Sequence, residues 1–208
     1  MSAYAVNWVM VQRELARVSQ CRGRLTQLAW AIRGYHEEFG VFPPVAIRDQ
    51  TGRPVHSWRV LILPYFGSEM EELFGRYHFD EPWNSKHNAR LAPEIQLDRL
   101  RCPSDFSAAP SEVSYLALTD ENGAWQLDRT GNERSNAGTC KFVIVEMRNS
   151  GIHWMEPRDV KCPESGAKGL IENSPHLTSI HVIAADGAVE SLDADGNRAY
   201  HGPTRYFD

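Results

Sequence analysis

At 208 residues and 23.6 kDa the chain suits one large domain, burying about 70% of the surface its unfolded form exposes. A composition of 42% apolar, 24% charged and 10% aromatic residues excludes whole-chain disorder, collagen and coiled coil. The net charge of −5 and pI near 5.9 disfavour a general nucleic-acid-binding domain, which carries a basic patch and a pI above about 9.

The apolar opening from Ala3 to Val11 is interrupted by Asn7. It falls short of the roughly 20 apolar residues a membrane span needs, and it has neither the basic region nor the small-residue cleavage site of a signal peptide. Apolar residues then recur at Trp8, Val11, Leu15, Val18, Leu25, Leu28, Ile32, Tyr35 and Phe39, broken only by Arg22. Steps of three and four predict a helix to residue 39, with Arg13, Arg17, Arg24, Arg33 and Glu37 on the wet side. Gly40 and Pro43-Pro44 stop it. Such a helix is about 50 Å long, more than a head of residues 40–208 can cover. Its N-terminal part is therefore expected to project or to pack on a second copy, and Trp8, Val11 and Leu15 are expected to stay outside their own head.

Val45 to Ile47 and Trp58 to Leu63 read as short strands or buried runs, and Glu69 to Tyr77 as a short helix. Asp80 to Ala92 is mostly irregular, while Val113 to Leu118 and Phe142 to Met147 are strand candidates. A hairpin closes the pattern: Ile180 to Ala185, a two-residue Asp186-Gly187 turn, then Ala188 to Leu192. That turn sets Ala184 opposite Val189 and Val182 opposite Ser191. One helix followed by strands without alternation predicts an α+β fold with a mainly antiparallel sheet.

Several segments, in order, resemble the bacterial domain of unknown function 1559 family, whose N-termini are prepilin-like. They are Tyr35-His36 with Gly40 to Pro44, His56-Ser57-Trp58-Arg59 through Tyr65, and Phe79 to Asn84. Cys102-Pro103-Ser104-Asp105 and Ser150 to Asp159, which holds His153 and Glu156, belong to the same set. At the end, His176, nine residues and Asp186-Gly187 reproduce the family's C-terminal signature. The resemblance implies a pilin-like envelope protein with a hydrophobic N-terminal helix and a globular head. The chain departs from that family in lacking the basic leader with Gly-Phe-Thr-Leu-x-Glu and the spanning helix. It also has Leu177-Thr178-Ser179 where Gly-Gly is usual.

Weighed as chemistry, the residues point to no catalytic group and no cofactor. His176 and His181, five apart, fall on opposite faces if both lie on one strand. His153, Glu156 and Asp159 step by three, but Pro157 opposes a helix there, and a hydrogen-bonded loop around Trp154 and Met155 is the plainer reading. Asp193, Asp195 and Asn197 resemble the start of a calcium loop, yet position twelve is Thr204, so a polar turn is expected. His176 and Asp186 are separated by the strand between them and are expected not to touch. Four cysteines allow three pairings; Cys21 with Cys102, and Cys140 with Cys162, are the expected disulfides, in an oxidising compartment. The expected function is a non-enzymatic pilin-like structural or assembly protein, extracytoplasmic in the cell envelope. Its partners would be other pilin-like subunits or a second copy, reached through the N-terminal helix. Nucleic acid is not among them, and a membrane enters only through an apolar helix upstream of this sequence. The alternative is an extracytoplasmic binding module whose Trp58, Trp83, Trp125 and Trp154 line a carbohydrate or peptide groove.

Overall fold

The computed structural model describes residues 3–95, 97–106, 108–119, 125, 142–163, 167–176 and 178–201. Helix α1 (Ala3–Phe39) is followed by a two-stranded ribbon of β1 (Ala46–Arg48) and β2 (Pro54–Ser57). Short helices α2 (Trp58–Leu61), α3 (Ser68–Gly75) and α4 (Asn88–Leu91) lead into the main sheet. That sheet holds β3 (Tyr115–Thr119), β4 (Phe142–Glu146), β5 (Val160–Lys161), β6 (Ser179–Ala184), β7 (Val189–Asp193) and β8 (Arg198–His201), with α5 (Ala167–Ile171) before β6. Its order is β5-β3-β4-β6-β7-β8, antiparallel except where β5 joins β3. The fold is α+β, a long N-terminal helix followed by a mainly antiparallel sheet.

Only the second half of α1 enters the core: Cys21, Leu25, Leu28, Ala29, Ala31 and Ile32 are fully buried, whereas Trp8, Val11 and Leu15 are 65%, 50% and 56% exposed. Thirty-seven residues at 1.5 Å each span about 55 Å, so the helix outruns the sheet it packs on. Gly34 lets α1 meet the 3-10 turn Leu63–Phe66, because a Cβ there would stand 2.5 Å from the Tyr65 ring. No described helix is long and apolar enough to cross a membrane.

Two local expectations are corrected. Trp58 to Leu63, expected as a strand or a buried run, is largely buried but forms α2 and a 3-10 turn: the Ser57 side chain accepts from Arg59 N–H and caps the helix, and the run lacks a strand's alternation. The β6–β7 hairpin is set one residue from the expected register, with Ile183 opposite Val189 and His181 opposite Ser191. Gly187 N–H donates to Ala184 O at 2.9 Å, so the loop is a three-residue turn, and only Gly187 (φ 81°) takes the left-handed conformation. Asp186 uses its carboxylate to accept from Ala188 N–H at 3.0 Å.

Candidate functional site

Antiparallel pairing places Tyr115 of β3 opposite Glu146 of β4, and Val145 opposite Val182 of β6. The next step along that ladder sets Glu146 beside His181, whose N–H donates to Glu146 Oε1 at 2.6 Å. His181 in turn faces Ser191 of β7, with Nδ1 and Oγ 2.7 Å apart. Cross-strand partners share a sheet face, so Tyr115, Glu146, His181 and Ser191 form one polar row across the sheet. All four are buried.

Helix α1 closes over this row. Cys21 Sγ donates to Glu146 Oε2 at 2.7 Å and lies 3.2 Å from Tyr115 Oη. Two turns earlier, Glu14 Oε1 is 2.8 Å from His176 Nδ1, and Glu14 is itself held by Arg17. The other nitrogen of His176, Nε2, faces Cys102 Sγ at 3.4 Å and Glu146 Oε2 at 3.6 Å. His176 is not on β6: Ser174 Oγ accepts from its N–H and donates to Ser179 O, turning the loop back on the strand. The two imidazoles, expected on opposite faces, therefore meet with ring centroids 4.7 Å apart.

Burying these groups together sets their protonation. Burial works against charge on His176, but Cys102, Glu146 and Glu14 outweigh it and push its pKa up to about 9. The Cys21 hydrogen bond, aided by His176 and opposed by burial, brings Cys102 down to about 5. Burial, with Cys102 and Glu146 alongside, drives Cys21 upward, and burial with the Cys102 charge does the same to Glu146. His181 falls to about 3, from burial and the nearby His176 and Arg22 charges. Its Nε2 is buried and has no hydrogen-bond partner among the described residues.

Cys102, His176 and Glu14 are ordered as a nucleophile, a base and the acid that orients it. Cys102 is 2% exposed, however, which leaves its sulfur closed to a substrate. What the arrangement can do is hold an ion: one ligand atom each from Cys21, Glu146, His176 and His181 lies within 4.8 Å of all the others. Cys21 and Cys102 come together as expected, but as free thiols, which corrects the proposed disulfide between them. Each sulfur is engaged by the cluster, Cys21 on Glu146 and Cys102 on His176. The second expected pair includes Cys140, which lies outside the described residues.

The other signature residues serve packing. His56 is buried between Tyr77 Oη at 2.8 Å and Phe79 O at 3.0 Å. Arg59 is fully buried and forms an ion pair with Asp159, which also accepts from Trp58 Nε1 at 3.0 Å and Ala117 N–H at 2.7 Å. His153 and Glu156 shape a loop: Glu156 Oε2 accepts from His153 N–H, and His153 Nδ1 accepts from Met155 N–H. Asp193 Oδ1 accepts from the N–H groups of Asp195 and Asn197, making a hairpin turn into β8. His176 and Asp186 bind different partners on either side of β6. Trp58, Trp125 and Trp154 are buried and Trp83 packs half-buried against the core, so they form no open groove.

Glu14, Tyr115, Glu146 and His181 escaped sequence reasoning as site residues. The available signal was a lone polar residue inside each apolar strand: Glu146 in Phe142–Glu146 and His181 in Ser179–Ala184.

A family model described as "Protein of unknown function (DUF1559)" matches residues 11–158. No curated protein matches the chain. No solved structure matches it either.

Proposed function

The chain belongs to the DUF1559 family of unknown function, and we propose that it is a non-enzymatic, pilin-like structural or assembly protein of the bacterial cell envelope. The observation that carries this reading is the first half of α1, where Trp8, Met10, Val11 and Leu15 stand exposed on a helix that outruns its own head. An apolar helical stripe left exposed by the described residues suits helix-to-helix packing in an assembly. The occupant is the same stripe of a second copy or of another pilin-like subunit. The burial of Trp58, Trp125 and Trp154 speaks against the alternative of a ligand groove.

An extracytoplasmic location fits a Cys140–Cys162 disulfide. Cys21 and Cys102 are free thiols and Cys162 is not among them. Thiol titration of the unfolded, unreduced protein is expected to find two reactive thiols; four would remove this support. Sedimentation velocity across a concentration series tests the assembly itself. Self-association that is lost in Trp8→Ser/Val11→Ser/Leu15→Ser is expected. A wild-type protein that stays monomeric at the highest concentration, alone and with other envelope pilin-like subunits, would overturn the reading.

A further inference from the structure

We propose that Cys21, Glu146, His176 and His181, buried together beside Cys102, form a binding site for one divalent ion of the zinc class, clamping α1 to the sheet. The inference stands apart from assembly through the exposed half of α1.

Donor type selects the ion. Thiolate sulfur with imidazole nitrogen and a single carboxylate suits zinc or cobalt, whereas calcium and magnesium take oxygen ligands. Spacing agrees. Metal–ligand bonds of about 2.0–2.3 Å in a tetrahedron set neighbouring donors about 3.3–3.8 Å apart. His176 Nε2 to Glu146 Oε2 is 3.6 Å, and all four ligand atoms lie within 4.8 Å of one another. Cys21 Sγ and Glu146 Oε2, now 2.7 Å apart through a shared proton, separate slightly when that proton gives way to the ion.

The surroundings also match a metal centre. Ligating histidines usually bond their second nitrogen to a carboxylate, which fixes the tautomer and aims the ligating one. Glu14 does this for His176 through Nδ1, and Arg17 and Ser104 hold Glu14 in turn. Ser191 does the same for His181 through Nδ1. That leaves His181 Nε2, buried and with no hydrogen-bond partner among the described residues, in a fully buried residue whose ligand atom lies with those of Cys21, Glu146 and His176. An unmatched buried nitrogen is costly, and an ion gives it a partner. On binding, the protons of the Cys21 thiol and of His176 Nε2 pass to solvent while Nδ1–H of His176 stays on Glu14, so charge and protons balance.

The test uses the whole chain, reduced and freed of metal, titrated with Co²⁺ and then Zn²⁺. One Co²⁺ per chain is expected, with thiolate-to-cobalt charge-transfer absorption and tetrahedral d–d bands that zinc abolishes. Cys21→Ser and His176→Ala are expected to weaken binding at least 100-fold. Cys102→Ser is expected to weaken it at least tenfold, and Glu14→Gln 10- to 100-fold without loss of the bands. His87→Ala, a surface histidine, serves as the unchanged control. Because wild type is the reference fold, a reduced wild-type protein that gives no thiolate–cobalt band overturns the proposal. So does undiminished binding in folded Cys21→Ser or His176→Ala.

Discussion

Among the described residues, the buried polar clusters around Arg59 and around His176 are built on opposite terms. In the first, Arg59 and Asp159 match one positive charge with one negative, 0% and 1% exposed. Asp159 also accepts from Trp58 and Ala117, and Arg59 donates to Ser57 Oγ and Tyr115 O while lying over the Trp58 ring. In the second, two thiols, two imidazoles and one carboxyl crowd under α1 with an imidazole nitrogen left over. The first pairs its two charges with each other, although Arg59 Nε, like His181 Nε2, is buried with no hydrogen-bond partner among the described residues, and it is architecture. The second brings thiol, imidazole and carboxyl donors to one point, and that convergence marks it as the site.

The largest effect should come from breaking the closed cluster. Asp159→Ala strands a buried guanidinium and is expected to lose about 3–5 kcal/mol in urea unfolding, while Arg59→Met/Asp159→Leu loses less than the single change. Equal losses in the two variants would show that the pair is not a coupled unit.

Next comes pH, acting through the open cluster in metal-free, reduced protein. Below pH 6.5 the unfolded chain protonates His181 and Cys102, whereas the folded chain resists until about 3 and about 5. Both contributions are lost as pH falls. Glu146, raised by burial, runs the other way, leaving a net loss of up to about 1.4 kcal/mol per pH unit. Between 6.5 and 9 the His176 contribution, with its pKa raised to about 9, is lost as pH rises and opposes that of Cys102. Glu146, raised by burial, also loses its contribution as pH rises through its folded-state pKa. Stability is thus expected to peak near pH 6.5. Urea midpoints from pH 5 to 8.5 check this, and His181→Leu is expected to flatten the acid limb.

A turn outside both clusters gives a smaller standard. Gly187→Val forces a β-branched residue to φ 81° and is expected to cost about 1–2 kcal/mol, leaving the pH optimum and cobalt binding unchanged. Smallest of all, Trp8→Ser/Val11→Ser/Leu15→Ser is expected to shift monomer stability by no more than about 0.5 kcal/mol per site, since these side chains are exposed. A larger loss would mean that the helix tip contributes to the fold of the single chain.

Much of the frame was legible beforehand. A stripe at steps of three and four places α1, and Gly40 ends it by donating to His36 O at 2.8 Å. Alternation and the Asp-Gly pair place the closing hairpin, though not its register, because a three-residue loop and a two-residue loop carry the same two letters. Trp58 to Leu63 misled for a related reason: a short run buried on all sides has no period to read.

By itself, then, the sequence determined where the helix and most strands run, which half of α1 stays wet, and the family's signature positions. These depend on local periodicity and on capping and turn residues a few positions apart. Only the tertiary structure decided that His176 meets Glu14, 162 positions away, and that Cys21 meets Glu146, 125 away. Strand register chooses which polar residues line up in a row, and the seating of α1 chooses which of its residues lie above that row. Both are settled by long-range packing, since a one-residue slip in either would send each side chain to another face.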